Sequence, residues 1–308
     1  MADTIADTRL LQPSQRLQAL EDLRRQLQTE NPATQKLRAP QAVALRQYVS
    51  EGECQLFVHL PDCLRLFSSL PDVDRHLIQE LVLTLTRGME MDLAHFPGEN
   101  AATACALPDL TTLDQYTYYV AGVVGEFWTK IHGVHLSVWR HDDLQLLCTL
   151  GIRFGKGLQM TNILRDLRRD IFHGRCYLPM DHLIYLGINI KDLSDPSILP
   201  CIRPLIDKLV RITLDHLDHA RDYVLHFPLY ALRPRLSCMW PLFFAVQTLQ
   251  VVCQSDSLLH PNAQVKISRR TVYWTMFWSL WCLIFPTLLP IYYSHLRRRL
   301  MRAMQSAH

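Results

Sequence analysis

The sequence predicts an all-helical protein. Only 11 glycines occur in 308 residues. Runs rich in Leu, Arg and Gln repeat their apolar positions every three or four residues, which is the spacing of one helix face. No stretch alternates apolar and polar residues for long enough to build a sheet. A helical bundle is therefore the class that the pattern supports. The apolar fraction of 49% is enough for a sizeable core, and the length allows one large domain or two smaller ones.

Each element has its own local reason. Residues 15–28 carry Leu17, Leu20, Leu23 and Leu27 at 3-4 spacing and read as an amphipathic helix. Pro32 and Pro40 bracket the linker that follows. Helices are expected at 41–60 and 74–93, the second with Leu77, Leu81, Leu85, Gly88 and Met89 as its buried stripe. After a break at Pro97 and Gly98 and a polar segment comes a helix over 112–132, where Ala121, Gly122 and Gly125 would let another helix approach closely. Residues 143–170 hold the longest helical pattern. His173-Gly174-Arg175 ends it, and Tyr177-Leu178-Pro179 begins a turn. Further helices are expected at about 180–186, 200–226 and 235–255. Internal repeats and low-complexity tracts are absent.

Composition excludes several classes of function. A net charge of +3, evenly spread, gives no footprint for nucleic acid, and none is expected as a partner. There is no Gly-rich dinucleotide loop, Walker-type loop or zinc spacing. The nine cysteines are scattered and never form C-x-x-C, which suggests reduced, mostly buried thiols in a cytosolic environment. No apolar signal core is seen at the N-terminus, so secretion is not expected.

Two aspartate pairs carry the chemistry. Asp3 and Asp7 lie in Asp-Thr-Ile-Ala-Asp; Asp166 and Asp170 lie in the run from Gln159 through Asn162 and Arg165. Residues four apart on a helix share a face, so each pair can offer stacked carboxylates. On its own such a pair is ordinarily solvated surface with like-charge repulsion. The second is set among Leu158, Ile163, Leu164 and Leu167, with polar and basic residues beside it, which lifts it above chance. Two opposed pairs would hold hard cations through oxygen. Mg²⁺ is the usual choice beside phosphate, because it takes only one or two carboxylates and keeps waters. Work on a diphosphate is implied.

From Thr271 to Leu296 there is no Lys, Arg, Asp or Glu. Val272–Tyr293 is 22 residues, which as a helix reaches roughly 33 Å, just enough to cross a bilayer. Tyr273, Trp274, Tyr292 and Tyr293 sit at its ends, and basic residues flank both. Three readings stand side by side: a span, a Pro-kinked hairpin lying in the interface, or the last core helix. Pro286 and Pro290 weaken the straight span, and the Arg297–Arg299 run suits anionic headgroups. The chain accordingly divides into a helical domain at 1–265 and a basic, hydrophobic, membrane-associating tail at 266–308, placed at the cytoplasmic side.

With these motifs in place the chain resembles the squalene/phytoene synthase family of head-to-head prenyltransferases. Gly88-Met-Glu-Met-Asp92-Leu is similar to a turn of that family before its pocket loop, and Tyr116-Thr-Tyr-Tyr-Val-Ala121-Gly122-Val-Val-Gly125 to its Y-x-x-Y-V-A-G-x-V-G helix. Gln159 through Asp170, followed by Gly174-Arg175-Cys-Tyr177-Leu-Pro179, is the most specific match. The likeness runs from Asp3 to about Arg270.

The resemblance implies an all-α isoprenoid-synthase bundle around a central cavity. It implies Mg²⁺ held by Asp3, Asp7, Asp166 and Asp170, polar contacts from Gln159 and Asn162, and diphosphate clamps at Arg165 and Arg175. Tyr116 would act near a carbocation, whereas its bland alternative is a helix-packing tyrosine. Family members normally carry several dozen residues before the first aspartate motif, and this chain starts two residues before Asp3; a fragment is expected.

Among family members the chain looks most like a bacterial-type squalene synthase. That implies two farnesyl diphosphates joined to presqualene diphosphate and reduced by NADPH to squalene. Val265-Lys266-Ile267-Ser-Arg269-Arg270 resembles a segment that meets the cofactor's phosphates, with Lys266 and Arg269 as the contacts; a membrane-flanking basic cluster is the competing reading. Gly174-Arg175-Cys-Tyr177-Leu-Pro179 leans instead towards phytoene-type and hydroxysqualene-related branches. A phytoene synthase using two C20 diphosphates is one alternative, and a non-catalytic, membrane-associated assembly factor is another. The active form is expected to be a monomer.

Overall fold

The computed structural model describes residues 13–28, 55, 59–98, 100–136, 143–261 and 264–306. The chain forms two compact units, Met1–Pro97 and Gly98–His308.

The first unit contains α1 (Pro13–Gln28), α2 (Leu60–Ser68) and α3 (Asp72–His95). Leu23 and Leu27 of α1 meet Leu64 and Phe67 of α2, with Ile78 and Val82 of α3 against them. A second cluster sets Ala19 and Leu20 against Met89 and Leu93. Leu17, expected on the buried stripe, is instead exposed. Of the expected stripe of α3, Gly88 is buried and Met89 packs on α1; Ile78, Val82 and Leu93 share that packing, and Leu77, Leu81 and Leu85 are half-buried. α3 is apolar around much of its circumference, so periodicity alone leaves the choice of face to its neighbours. Arg24 crosses from α1 to α3, where its Nε donates to Thr86 Oγ1 at 2.7 Å and its guanidinium pairs with Glu90.

In the second unit the expected helix over 112–132 is α4 (Leu110–Thr117), a π-helical turn (Tyr118–Gly122) and α5 (Val123–Leu136). Asp109 caps α4, accepting from the Thr112 amide at 2.7 Å. α6 (Leu144–Phe172) is the central helix and packs on α5, α8 (Leu199–His226) and α9 (Leu232–Gln254). Gly174 ends it with φ +86°, a conformation that a residue without Cβ adopts freely. The sequence pattern gave no strand, yet β1 (Cys105–Leu107) pairs in parallel with β2 (Arg175–Pro179). The presumed turn at Tyr177-Leu178-Pro179 is thus strand. Three paired positions are too short a stretch to show a period of two. α7 (Met180–Tyr185) follows β2.

Glycines set the spacing between α5 and α6. A Cβ on Gly125 would lie 1.9 Å from the Gly151 carbonyl oxygen, and one on Gly155 would lie 2.1 Å from that of Ala121. The small residues singled out at 121–125 therefore do admit a neighbouring helix, and that helix is α6.

The C-terminal apolar stretch is not one helix, which corrects the straight-span reading of Val272–Tyr293. α10 (Arg269–Ile284) and α11 (Leu288–Ser306) are separated at Phe285–Thr287, around Pro286. Among the described residues, the helix long and apolar enough to span a membrane is α9, and 61% of its most apolar window is buried. Met239, Leu242, Phe243, Val246 and Leu249 make it a core helix. α11 returns along α9 and is pinned to α8 through Asp218, which accepts from Tyr293 Oη at 2.9 Å and Arg297 Nε at 3.1 Å.

The described cysteines are all free thiols: Cys176, Cys238, Cys253 and Cys282 are buried, while Cys63 and Cys201 are exposed. Burial pushes Cys176, Cys238 and Cys253 up to about 12 and Cys282 to about 11. Such thiols stay protonated and inert at neutral pH.

Candidate active site

Gln159, Asn162, Asp166 and Asp170 follow one another at helical spacing along one face of α6, all half-buried. The other face, including Ile163, Leu164, Leu167 and Ile171, is buried. The fold therefore presents the four polar residues together and removes their apolar neighbours from water. Asp3 and Asp7, expected to oppose this pair, lie outside the described residues.

Asp166 is held by two arginines. Arg165 grips it in a fork, Nε to Oδ1 at 3.1 Å and Nη2 to Oδ2 at 2.6 Å, and Arg169 Nη2 adds a third contact at 3.0 Å. Arg169 Nε also lies 3.8 Å from Asp170 Oδ1. The fork raises the Arg165 pKa, with its bond to Asp166 as the largest cause. The like-charge repulsion of an i,i+4 aspartate pair is thus offset here by cations on the same helix. Arg165, expected to clamp diphosphate, rests on Asp166 in this structure.

Among the described residues no group of three or more His, Cys, Asp or Glu gathers into a metal site. Asp166 and Asp170 supply two hard-oxygen donors a turn apart. That set suits an ion such as Mg²⁺, which completes its shell with water and phosphate oxygens. Lys266, three residues before α10, and Arg269, its first residue, are exposed cations able to meet phosphate, and Lys266 Nζ bonds Gln264 Oε1 at 3.1 Å.

Tyr116 has a partner that sequence reasoning did not assign. Its hydroxyl donates to the Tyr177 hydroxyl at 3.1 Å, the rings stack with centroids 4.9 Å apart, and both residues are about 5% exposed. β2 begins five residues beyond Asp170, just after the Gly174 turn, so the same turn that ends the aspartate helix delivers Arg175 and Tyr177. The available signal was the Gly174-Arg175-Cys-Tyr177 run itself. Beside it, Lys156 ties α6 to α4: its ammonium donates to both Asp114 oxygens at 2.8 Å and lies 5.9 Å from the Tyr118 ring centre. These contacts fix Tyr116 relative to the aspartate helix.

His216 of α8 is buried against Gly157 of α6. Its pKa is pushed down to about 4, by burial first and then by Arg153 and Lys156, against the opposing pull of Asp114 and Asp215. The unfolded chain, with a histidine near 6.5, binds more protons below that pH. The neutral-imidazole contribution is therefore complete above about pH 6.5 and is lost as pH falls towards 4. Urea unfolding at pH 7.5 and 5.0 should show about 2 kcal/mol of loss from this group. His216→Asn should flatten that difference.

An all-α bundle with a diacidic face beside a buried tyrosine pair defines the class, and comparison with known proteins agrees. The squalene/phytoene synthase family model matches residues 1–271, and the chain belongs to that family. It is 30% identical over 206 residues to a presqualene diphosphate synthase of Zymomonas mobilis, covering 65% of this chain and 62% of that one. Identity to a squalene synthase of Saccharomyces cerevisiae is 25% over 193 residues, covering 61% and 41%. A 15-cis-phytoene synthase of Enterobacter agglomerans is 42% identical over 89 residues, 28% of each chain. The chain thus spans less than two thirds of the length of these curated relatives. The ligand complex of TcSQS shares the fold, with a TM-score of 0.74 at 20% identity, covering 100% of this chain and 87% of that one.

Proposed function

We propose that this chain is a Mg²⁺-dependent prenyltransferase that joins two farnesyl diphosphates head to head into presqualene diphosphate and on to squalene. The observation that carries the proposal is the alignment of Gln159, Asn162, Asp166 and Asp170 on one half-buried face of α6.

Ionising an allylic diphosphate leaves negative charge on the departing group, and Mg²⁺ supplies the neutralisation when bound. Asp166 and Asp170 hold that ion. Arg165, released from its fork, and Arg175 orient the diphosphate oxygens, and the Gln159 and Asn162 amides add neutral hydrogen bonds. Tyr116 presents an aromatic face and a phenol oxygen to the carbocation, with Tyr177 fixing the direction of its hydroxyl. Both rings are buried, so the cation meets π-faces rather than water there. NADPH supplies a hydride for the reductive half, with Lys266 and Arg269 meeting its phosphates. The segment 266–308 is the part of the chain assigned to the lipid surface, on the cytoplasmic side, and the working form is a monomer.

Phytoene formation from two C20 diphosphates is the second reading, supported by the 42% identical segment shared with a phytoene synthase. The experiment supplies C15 and C20 diphosphates, with and without NADPH, and identifies hydrocarbon products by mass. Squalene appearing only with NADPH is the expected result. Phytoene from the C20 substrate replaces the first reading by the second.

A further inference from the structure

α10 is inside out. Its buried residues are Thr275, Ser279 and Cys282. Thr275 bonds Gln247 of α9, whose Nε2 reaches Thr275 Oγ1 at 2.8 Å, and Ser279 donates back to the Thr275 carbonyl at 2.7 Å. The opposite side shows Trp274, Phe277, Trp281 and Ile284 to solvent at helical spacing, and Tyr273 is 68% exposed. Three of the chain's six tryptophans fall within the eight residues from Trp274 to Trp281. An open, largely apolar groove of about 560 Å³ runs between Arg270, Tyr273, Trp274 and Phe277. A core helix turns such residues inward, so this face is made for a partner.

Charge identifies the partner. Seven of the 32 Lys and Arg residues, and none of the 29 Asp and Glu, lie beyond Asp256. α10 and α11 form a hairpin: Trp278 stacks on Tyr292 at 5.8 Å, on opposite sides of the break at Pro286. Arg298, Arg299 and Arg302, all exposed, are thereby returned to the end of the hairpin that carries Arg269 and Arg270. The tip holds the exposed Ile284, Phe285 and Ile291. One end is apolar and aromatic and the other is purely basic, as an anionic bilayer surface requires.

We infer that this hairpin enters one leaflet of an anionic membrane, with its tip in the acyl region and Arg270, Arg298, Arg299 and Arg302 at the headgroups, leaving Lys266 and Arg269 to the cofactor's phosphates. The inference rests on the assignment of 266–308 to lipid, and it replaces a spanning helix by a monotopic wedge. From Arg270 to Phe285 the helix rises about 22 Å, enough for one leaflet and its headgroups and short of a hydrocarbon core near 30 Å with two interfaces. Arg297 is committed to Asp218 of α8, so the hairpin stays attached to the body of the protein.

The test is flotation of the whole chain with vesicles of phosphatidylcholine alone or with 30% phosphatidylglycerol, at low and high salt. Binding to the anionic vesicles, weakened by salt, is expected. The triple variant Trp274→Glu, Phe277→Glu, Trp281→Glu should lose at least tenfold in binding while keeping its melting temperature. Tryptophan quenching by lipids brominated at different depths should be strongest at shallow positions. Absence of binding by the unaltered chain defeats the lipid assignment itself. Binding that the triple variant retains, or quenching greatest at the bilayer centre, overturns the wedge. A concentration-dependent dimer that the variant abolishes, in a chain that ignores vesicles, assigns the face to a second copy instead.

Discussion

Replacing Asp166 with Asn is expected to lower prenyl-transfer turnover about a thousandfold, since a metal ion at a developing phosphate charge is worth several kcal/mol. Asn keeps the shape of the side chain and one oxygen, but loses the charge that binds the ion. The fold should hardly notice. The Asp166 side chain is only 18% exposed, but its partners Arg165 and Arg169 are 37% and 66% exposed and can turn to water, so the lost ion pairs cost about 1 kcal/mol. Turnover of farnesyl diphosphate and a thermal melt, run side by side, separate the two effects. Asp170→Asn should act alike, and the double variant should fall little below either single one, because residues holding one ion act as a unit. Unchanged biological activity in Asp166→Asn would instead favour the non-catalytic assembly role.

Gly155→Ala should produce a large loss of stability for the addition of a single methyl. The new Cβ would sit 2.1 Å from the Ala121 carbonyl oxygen and 2.6 Å from its carbon. Both are backbone atoms, so no rotamer change relieves the contact and α6 must move from the π-helical turn. Overpacking of this kind costs about 1–3 kcal/mol or more, against a gain of up to ~1 kcal/mol in helix propensity. A fall in melting temperature of roughly 5 °C is expected for a domain of this size. Gly157→Ala is the internal control, since its Cβ would meet the Leu217 side chain at 3.0 Å and the His216 Cβ at 3.1 Å. Partners on a neighbouring helix's side chains give more readily than a carbonyl, so the control should lose less. Equal losses would show that the α5–α6 spacing is not set by backbone contact.

Much of the site was legible because its logic is local. Gln159, Asn162, Asp166 and Asp170 share a face by helical spacing alone, and no tertiary information is needed to align them. The glycines at 122 and 125 likewise announced a close helix, although only the fold names Gly151 and Gly155 as what comes close. The Tyr116–Tyr177 bond joins positions 61 apart, and the fork of Arg165 on Asp166 is a rotamer choice between two nearby aspartates, Asp166 and Asp170. Neither leaves a periodic mark.

Helix content, the order of the elements and the placement of four polar side chains on one stripe of α6 follow from residue spacing, because hydrogen bonding and side-chain direction in a helix repeat within a few residues. Which stripe of α3 is buried, whether 105–107 becomes a strand, and that α10 turns its threonine and serine inward were decided by neighbours far along the chain. An apolar segment carries the same hydropathy whether it faces protein or lipid. Only packing against Gln247 and the break at Pro286 settle which way its tryptophans point.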